Sequence, residues 1–270
     1  MYGAILGDMI GAPYEFDRGD KTKDFPLFCK YSEFTDDTVI TIAVAEALID
    51  TLGQSDDDIK DALVRSMKKW GRRYPGAGYG IRFIGWLGSK NPQPYNSYGN
   101  GSAMRVSPVG WLFDDYQDVM REAKRSAEVS HCHAEGVKGA QCVAMVIYWM
   151  RHMRVIKTDV EKRVAKYFGY EIPPLKDIMK IGSEGHFDSI CQETVPWALR
   201  CFLDANSFEE TIRLAVLCDG DTDTKAAIAG SIAEAYYGVP DSIVDQAIEY
   251  LPDEMLTVLD RFYDRLNEQM

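Results

Sequence analysis

Two short acidic stretches carry the clearest chemical signal. Residues 33–41 read EFTDDTVIT, and residues 218–227 read CDGDTDTKAA. Each sets a threonine beside two closely spaced aspartates where an apolar, alanine-rich run begins. Asp and Thr are favoured at helix N-termini, so either stretch alone reads as a capped helix start. A cap needs one side chain, whereas two or three stand at each start. Asp36, Asp37, Asp221 and Asp223, joined by Glu15 of GAPYEF, would crowd five carboxylates together if the segments converge. Like charges that close cannot all stay ionised unaided, and two divalent cations would nearly neutralise them. An all-oxygen donor set, with the hydroxyls of Thr35 and Thr224, favours Mg²⁺ or Mn²⁺ over zinc or copper.

A second signal lies in GNGSAMR, residues 99–105. Small residues let backbone amides approach a phosphate closely, and Ser102 offers a hydroxyl donor. The string is not a P-loop, since GxxxxGK[ST] is absent. Read alone, it is an ordinary glycine turn. His131, in SHCHAEG, precedes an apolar run and reads alone as a structural histidine, with His133 incidental and His152 and His186 in no motif. Tyr74, Tyr79, Trp86, Tyr95 and Tyr98 surround the loop in sequence and could stack on a base or pack internally.

The elements that must position these groups are helical. VITIAVAEALIDTL is apolar almost all round, the mark of a buried helix. DDDIKDALVRSMKKWGRRY is amphipathic, with Asp56–Asp58 suiting a helix N-terminus. Further helices are expected over 118–129 and 134–150, and then in DVEKRVAKYFG, SICQETVPWALRCFLDA, SFEETIRLAVLC, DTKAAIAGSIAEAYYG, PDSIVDQAIEYL and DEMLTVLDRFYDRLNEQ. Ser207 and Glu210 match a capping box, and Gly238 and Pro240 mark a stop. No alternating strand run stands out. Residues 71–110 read as one long irregular stretch, and loops that long are usually functional. The expectation is an all-α chain, with residues 1–270 forming one domain.

Composition narrows the function. A formal net charge of −12 argues against nonspecific binding to nucleic acid or an anionic membrane. The six cysteines are scattered without a CxxC pair, so buried free thiols in a reducing cytoplasm are expected rather than disulfides or a thiolate zinc site. No basic leader precedes the first apolar residues, and no apolar run is long enough to span a bilayer.

Taken in order, GAILGDMIGAPYEF, FTDDT, YGNGSAMRVSPVG, SH and GDTDTKAAIAG resemble the motifs of the ADP-ribosylglycohydrolase family, from residue 3 to residue 230. The resemblance implies an all-α orthogonal helical fold around a binuclear Mg²⁺ or Mn²⁺ centre. It implies metal ligation by Thr35, Asp36 and Asp37 from one helix start and by Asp221, Asp223 and Thr224 from the other, with Asp223 bridging. Glu15 matches a glutamate at the second metal. Gly99, Asn100, Gly101, Ser102, Ala103, Met104 and Arg105 match the loop that cradles the diphosphate of ADP-ribose, and His131 matches a substrate-binding histidine. Asp219 stands where the family commonly has Gly, and Lys225 where it has Asn or another small residue. Lys225 could offset Asp219 or touch a phosphate.

The expected activity is metal-dependent hydrolysis of the bond between ADP-ribose and a protein side chain, arginine-linked first and serine- or ester-linked next. Glu15 or Asp36 would act as the base. The partner is then an ADP-ribosylated protein or a small ADP-ribosyl substrate, and the chain a cytoplasmic monomer. The alternatives are a non-catalytic ADP-ribose-binding or crystallin-like relative, a hydrolase of free ADP-ribose derivatives, and a phosphoesterase that attacks the diphosphate.

Overall fold

The computed structural model describes residues 1–17, 22–152 and 155–269. The helices run in the order α1 (Tyr2–Gly11), α2 (Asp36–Thr51), α3 (Asp56–Arg73), α4 (Ile81–Gly88), α5 (Gly101–Met104), α6 (Ser107–Leu112), α7 (Tyr116–Glu128) and α8 (Ala134–His152). They continue with α9 (Lys157–Phe168), α10 (Leu175–Ser183), α11 (Cys191–Asp204), α12 (Phe208–Leu217), α13 (Thr222–Tyr237), α14 (Asp241–Ile248) and α15 (Asp253–Gln269). The described residues contain no strand, only an isolated antiparallel bridge between Gly99 and Ile190. The fold is all-α, as the sequence indicates.

Three helices that lack a polar face form the centre. α2, α8 and α13 are buried along most of their length, and α1 packs with them. Gly3, Gly7 and Gly11, spaced by four, lie on one face of α1 and allow an unusually close approach to α13. A Cβ added at Gly3 or Gly7 would overlap the carbonyl oxygen of Gly230 or Ala226. One added at Gly11 would lie 2.6 Å from the Asp223 Cα. The hydroxyl of Thr222 then donates to the Gly11 carbonyl at 2.9 Å, which ties the end of α1 to the start of α13. Amphipathic helices such as α3, α7 and α15 cover this centre with their apolar faces.

Three segments differ from the sequence reading. Residues 71–110 are not one irregular stretch, because α4, α5 and most of α6 lie within them. In α4, Phe83 and Trp86 share a face, stack at 5.2 Å and turn inward, while Gly80, Gly85 and Gly88 face open space. The glycines mask a helix that burial of one face stabilises. Residues 2–11 are helical although three glycines depress the propensity, since packing against α13 offsets about 1 kcal/mol per glycine. α10 follows Pro173 and Pro174 and was not expected.

Smaller expectations fare differently. Ser207 accepts from Glu210 N at 3.1 Å, but the Glu210 carboxylate takes Asn206 N at 2.7 Å, so the box closes one residue earlier than its usual form. All six cysteines are free, and the buried Cys201 and Cys218 sulfurs lie 3.8 Å apart without a bond. No helix of the described residues is long and apolar enough to cross a membrane.

Candidate active site

The cap of α2 comes mainly from Asp8, in the middle of α1. The buried Asp8 carboxylate accepts Thr35 N at 2.9 Å, Thr35 Oγ1 at 2.7 Å, Thr38 N at 3.0 Å and Thr38 Oγ1 at 2.5 Å. Burial pushes the Asp8 carboxyl up to about 6 even so. Thr35 itself accepts Asp37 N at 3.3 Å. Capping is thereby satisfied without Asp36 or Asp37. At α13 the N-cap residue, Asp221, makes no side-chain cap bond either. Asp223 accepts Thr224 N at 2.8 Å, and Asp36, Asp37 and Asp221 are the acids that no cap uses.

They converge. Thr224 Oγ1 donates to Asp37 Oδ2 at 3.0 Å, and carboxylate oxygens of Glu15, Asp221 and Asp223 lie within 4.8 Å of one another. Glu15, Asp36, Asp37, Asp221, Asp223 and Thr224 all line one cavity of about 470 Å³. Burial first, then the charges of Asp8, Asp221 and Glu15, push the Asp36 carboxyl up to about 8. Asp37 and Asp223 are pushed up by burial and then by their acidic neighbours. Among the described residues no lysine or arginine pairs with Asp36, Asp37, Asp221 or Asp223, and Asp37 Oδ1 is buried without a partner. A hard divalent cation fits this arrangement, since the donors are all oxygen and the missing quantity is positive charge.

The rest of the lining comes largely from a different kind of chain. Residues 62–113 contain no Asp or Glu but hold Arg65, Lys68, Lys69, Arg72, Arg73, Arg82, Lys90 and Arg105. From this segment come Gly78, Arg82, Tyr95, Gly99, Gly101 and Met104 of the cavity lining. The loop is held at α11, where Asn100 N donates to Ser189 O and Cys191 N to Tyr98 O, each at 3.0 Å. The Asn100 amide reaches Asp221 Oδ2 at 2.7 Å and links the loop to the acidic group.

The sequence-derived residues divide by position. Gly99, Asn100, Gly101, Met104, Arg105 and His131 line the cavity, but Ser102 and Ala103 do not. Ser102 is fully buried and donates to Gly136 O at 2.7 Å, so its hydroxyl turns away from any ligand there. Thr35 lies outside the lining, with its hydroxyl donated to Asp8. Of the aromatic candidates only Tyr95 lines the cavity; Trp86 donates to Val129 O and Tyr74 to Glu254. Phe16 and Phe187, not singled out beforehand, stack at 4.9 Å and line it too.

Lys225 corrects one expectation. It is fully buried and outside the cavity lining, so it does not touch a ligand there. Its Nζ binds Asp188 Oδ1 at 2.6 Å and Asp219 O at 2.9 Å. Asp219 occupies a left-handed conformation, φ 56°, the position that favours glycine. Asp188 Oδ1 also accepts Asp221 N at 3.1 Å, so the pair fixes the loop that carries Asp221.

The sequence profile of the ADP-ribosylglycohydrolase family matches residues 1–270. The ADP-ribosylhydrolase ARH3 of Mus musculus is 28% identical over 313 residues, covering 89% of this chain and 84% of that protein. The ADP-ribosylarginine hydrolase Tri1 of Pseudomonas putida is 26% identical over 267 residues, covering 88% and 70%. A solved structure described as an ADP-ribosylglycohydrolase-related protein complex shares the fold, with a TM-score of 0.69 at 24% identity over 98% of this chain and 95% of that one. The chain's relatives are named ADP-ribosylhydrolases, which makes it a glycosidase-type hydrolase, and by sequence along its whole length the chain belongs to the ADP-ribosylglycohydrolase family.

Proposed function

We propose that this protein is a divalent-cation-dependent hydrolase that releases ADP-ribose from ADP-ribosylated protein side chains, with arginine-linked ADP-ribose as its first substrate. The observation that carries the reading is the lining of one cavity. Glu15, Asp36, Asp37, Asp221, Asp223 and Thr224 supply an acidic, oxygen-rich group, and the Gly99–Gly101 loop with Arg82 lines the same cavity. That pairing suits a ligand with an anionic diphosphate and a ribose whose anomeric carbon becomes positive as its bond breaks. The arginine preference is supported by the relative named an ADP-ribosylarginine hydrolase.

Two Mg²⁺ or Mn²⁺ ions are proposed, held by Asp36, Asp37, Asp221, Asp223, Thr224 and Glu15, with Thr35 contributing through its remaining lone pair. Bound there, they supply compensating positive charge and polarise substrate oxygens. The chain's own residues do the rest. Asn100 and Asp188 hold Asp221 in place. Small residues at 99 and 101 let the loop approach phosphate oxygens. In this reading Glu15 or Asp36, both in the cavity lining, takes a proton from the attacking water or returns one to the leaving group. Residues 1–270 act in this reading as a single cytoplasmic, monomeric domain.

The experiment is to incubate the protein with arginine-, serine- and ester-linked ADP-ribosyl substrates, with Mg²⁺, Mn²⁺ or chelator, and to identify products by mass. The reading expects intact ADP-ribose, its release lost with chelator and in Asp36→Asn or Asp223→Asn. AMP as product would assign a phosphoesterase instead, and ADP-ribose binding without turnover would assign a non-catalytic relative.

A further inference from the structure

The two ring nitrogens of His131 meet different surroundings. Nδ1 lies 2.8 Å from Ser130 Oγ. Nε2 has no hydrogen-bond partner among the described residues and faces the loop, where a Cβ added at Gly101 would sit 3.2 Å away and one at Gly99 3.9 Å. The glycine at 101 therefore leaves the Nε2 edge bare, in the wall of the cavity.

A third residue sets the direction of the Nδ1 contact. Arg105 is 1% exposed, and its Nη2 donates to Ser130 Oγ and Ser126 O, both at 2.8 Å. A guanidinium can only donate. Ser130 therefore accepts from Arg105, which leaves its own hydrogen free to go to His131 Nδ1. A neutral imidazole that accepts at Nδ1 carries its proton at Nε2. Among the described residues Arg105 has no carboxylate partner, and its Nε is buried without a partner, so a full positive charge stays beside the ring. The charged and titratable groups facing His131 are Arg105, Arg82 of α4 and Tyr95, whose ring centroid lies 5.5 Å away. Burial first, then the two arginines, holds the imidazole well below its usual range.

We infer that Arg105 and Ser130 form a one-way donor relay that fixes His131 as its Nε2–H tautomer, a hydrogen-bond donor to an oxygen of the cavity's ligand. The ligand atom opposite must be an acceptor: a phosphate, hydroxyl or ether oxygen matches, and an N–H group is refused. Arg105, which the sequence placed among ligand-binding residues, becomes a positioning residue acting through His131. The inference concerns the same cavity as the proposed reaction but stands on the protein alone.

Long-range ¹⁵N–¹H correlation spectra of the ring nitrogens, on ¹⁵N-histidine protein near neutral pH, test it. The His131 signals are assigned by their loss in His131→Asn. The relay predicts an unprotonated Nδ1 and a protonated Nε2 in the wild type. It predicts tautomer averaging in Ser130→Ala and in Arg105→Met, and restoration in Ser130→Thr. A wild-type ring protonated at Nδ1 overturns the inference whether or not the variants fold. Unchanged nitrogen shifts in a folded Ser130→Ala overturn it as well. No substrate is needed, so a failed reaction and a failed relay give different results.

Discussion

Thr224 Oγ1 donates to Asp37 Oδ2 across 3.0 Å, joining two helix starts separated by 187 positions in sequence. The bond is the direct link between the two acidic stretches, and it places α13 against the N-terminus of α2. Around it the carboxylates crowd for lack of positive charge. Crowding of that kind lowers the stability of the folded protein, and the proposed cations would relieve it.

Neutralising one member should therefore help the metal-free fold. Asp37→Asn keeps an acceptor for Thr224 and removes the cost of either burying or protonating a carboxylate there. In chelator the variant is expected to melt at a higher temperature than the wild type. Calorimetry in chelator checks this, and a lower melting temperature would contradict it.

The buried Lys225–Asp188 pair should behave in the opposite way. Lys225→Met leaves Asp188 buried without its cation, and breaking such a pair costs about 3–5 kcal/mol. At about 2–4 °C per kcal/mol for a chain this long, the melting temperature falls by roughly 10 °C. Asp188→Asn added to Lys225→Met should recover part of the loss, because it removes the stranded charge while keeping an acceptor for Asp221 N. No recovery would show that the lysine acts through packing alone.

The α1–α13 contact predicts a strong response to the smallest side chain. Gly7→Ala would drive a Cβ into the Ala226 carbonyl, so α1 must shift from α13. Overpacking of this kind costs about 1–3 kcal/mol or more. Because the same helix carries Asp8 and leads to Glu15, thermal melting and cation binding should weaken together. Gly85→Ala, in open space on α4, is the control and should not destabilise.

An acid-side dependence follows from Glu46, which joins α2 to α3. Burial pushes its carboxyl up, but Lys69 at 2.7 Å, Trp70 Nε1 at 2.9 Å and Ser66 at 3.0 Å together outweigh that and hold it below its ordinary value. A folded value below the unfolded one means the contribution is present above the usual glutamate range and is lost as pH falls through the folded value. Glu46→Gln should lower the melting temperature at neutral pH, and the difference should shrink on acidification. A difference that stays constant with pH would contradict the assignment.

The acidic groups were legible because each pair lies within two residues in sequence and exceeds what a helix cap requires. Glu15, Asp36, Asp37, Asp221, Asp223 and Thr224 do line one cavity. Asp8 was not legible, because a lone acid in an apolar run reads only as an interruption, and its partners Thr35 and Thr38 lie 27 and 30 positions away. Asp188 and Lys225 are likewise 37 positions apart, and only the fold pairs them. Ser102 looked like a ligand donor because sequence shows its type but not its direction, and Gly136 takes its hydrogen. α4 was hidden by glycines whose cost burial of Phe83 and Trp86 offsets. The absence of acids from residues 62–113 was visible in the sequence, but it gains meaning only once that stretch lines the cavity with the carboxylates.

The measurement that tests the central claim most directly is a Mn²⁺ titration of the purified, metal-free protein, followed by electron paramagnetic resonance or calorimetry. If the two stretches form one site, the wild type binds Mn²⁺ without substrate, and Asp37→Asn and Asp223→Asn each weaken that same binding by tenfold or more, about 1.4 kcal/mol. Wild-type protein that binds no Mn²⁺, or binding that one of these substitutions leaves untouched, would contradict it.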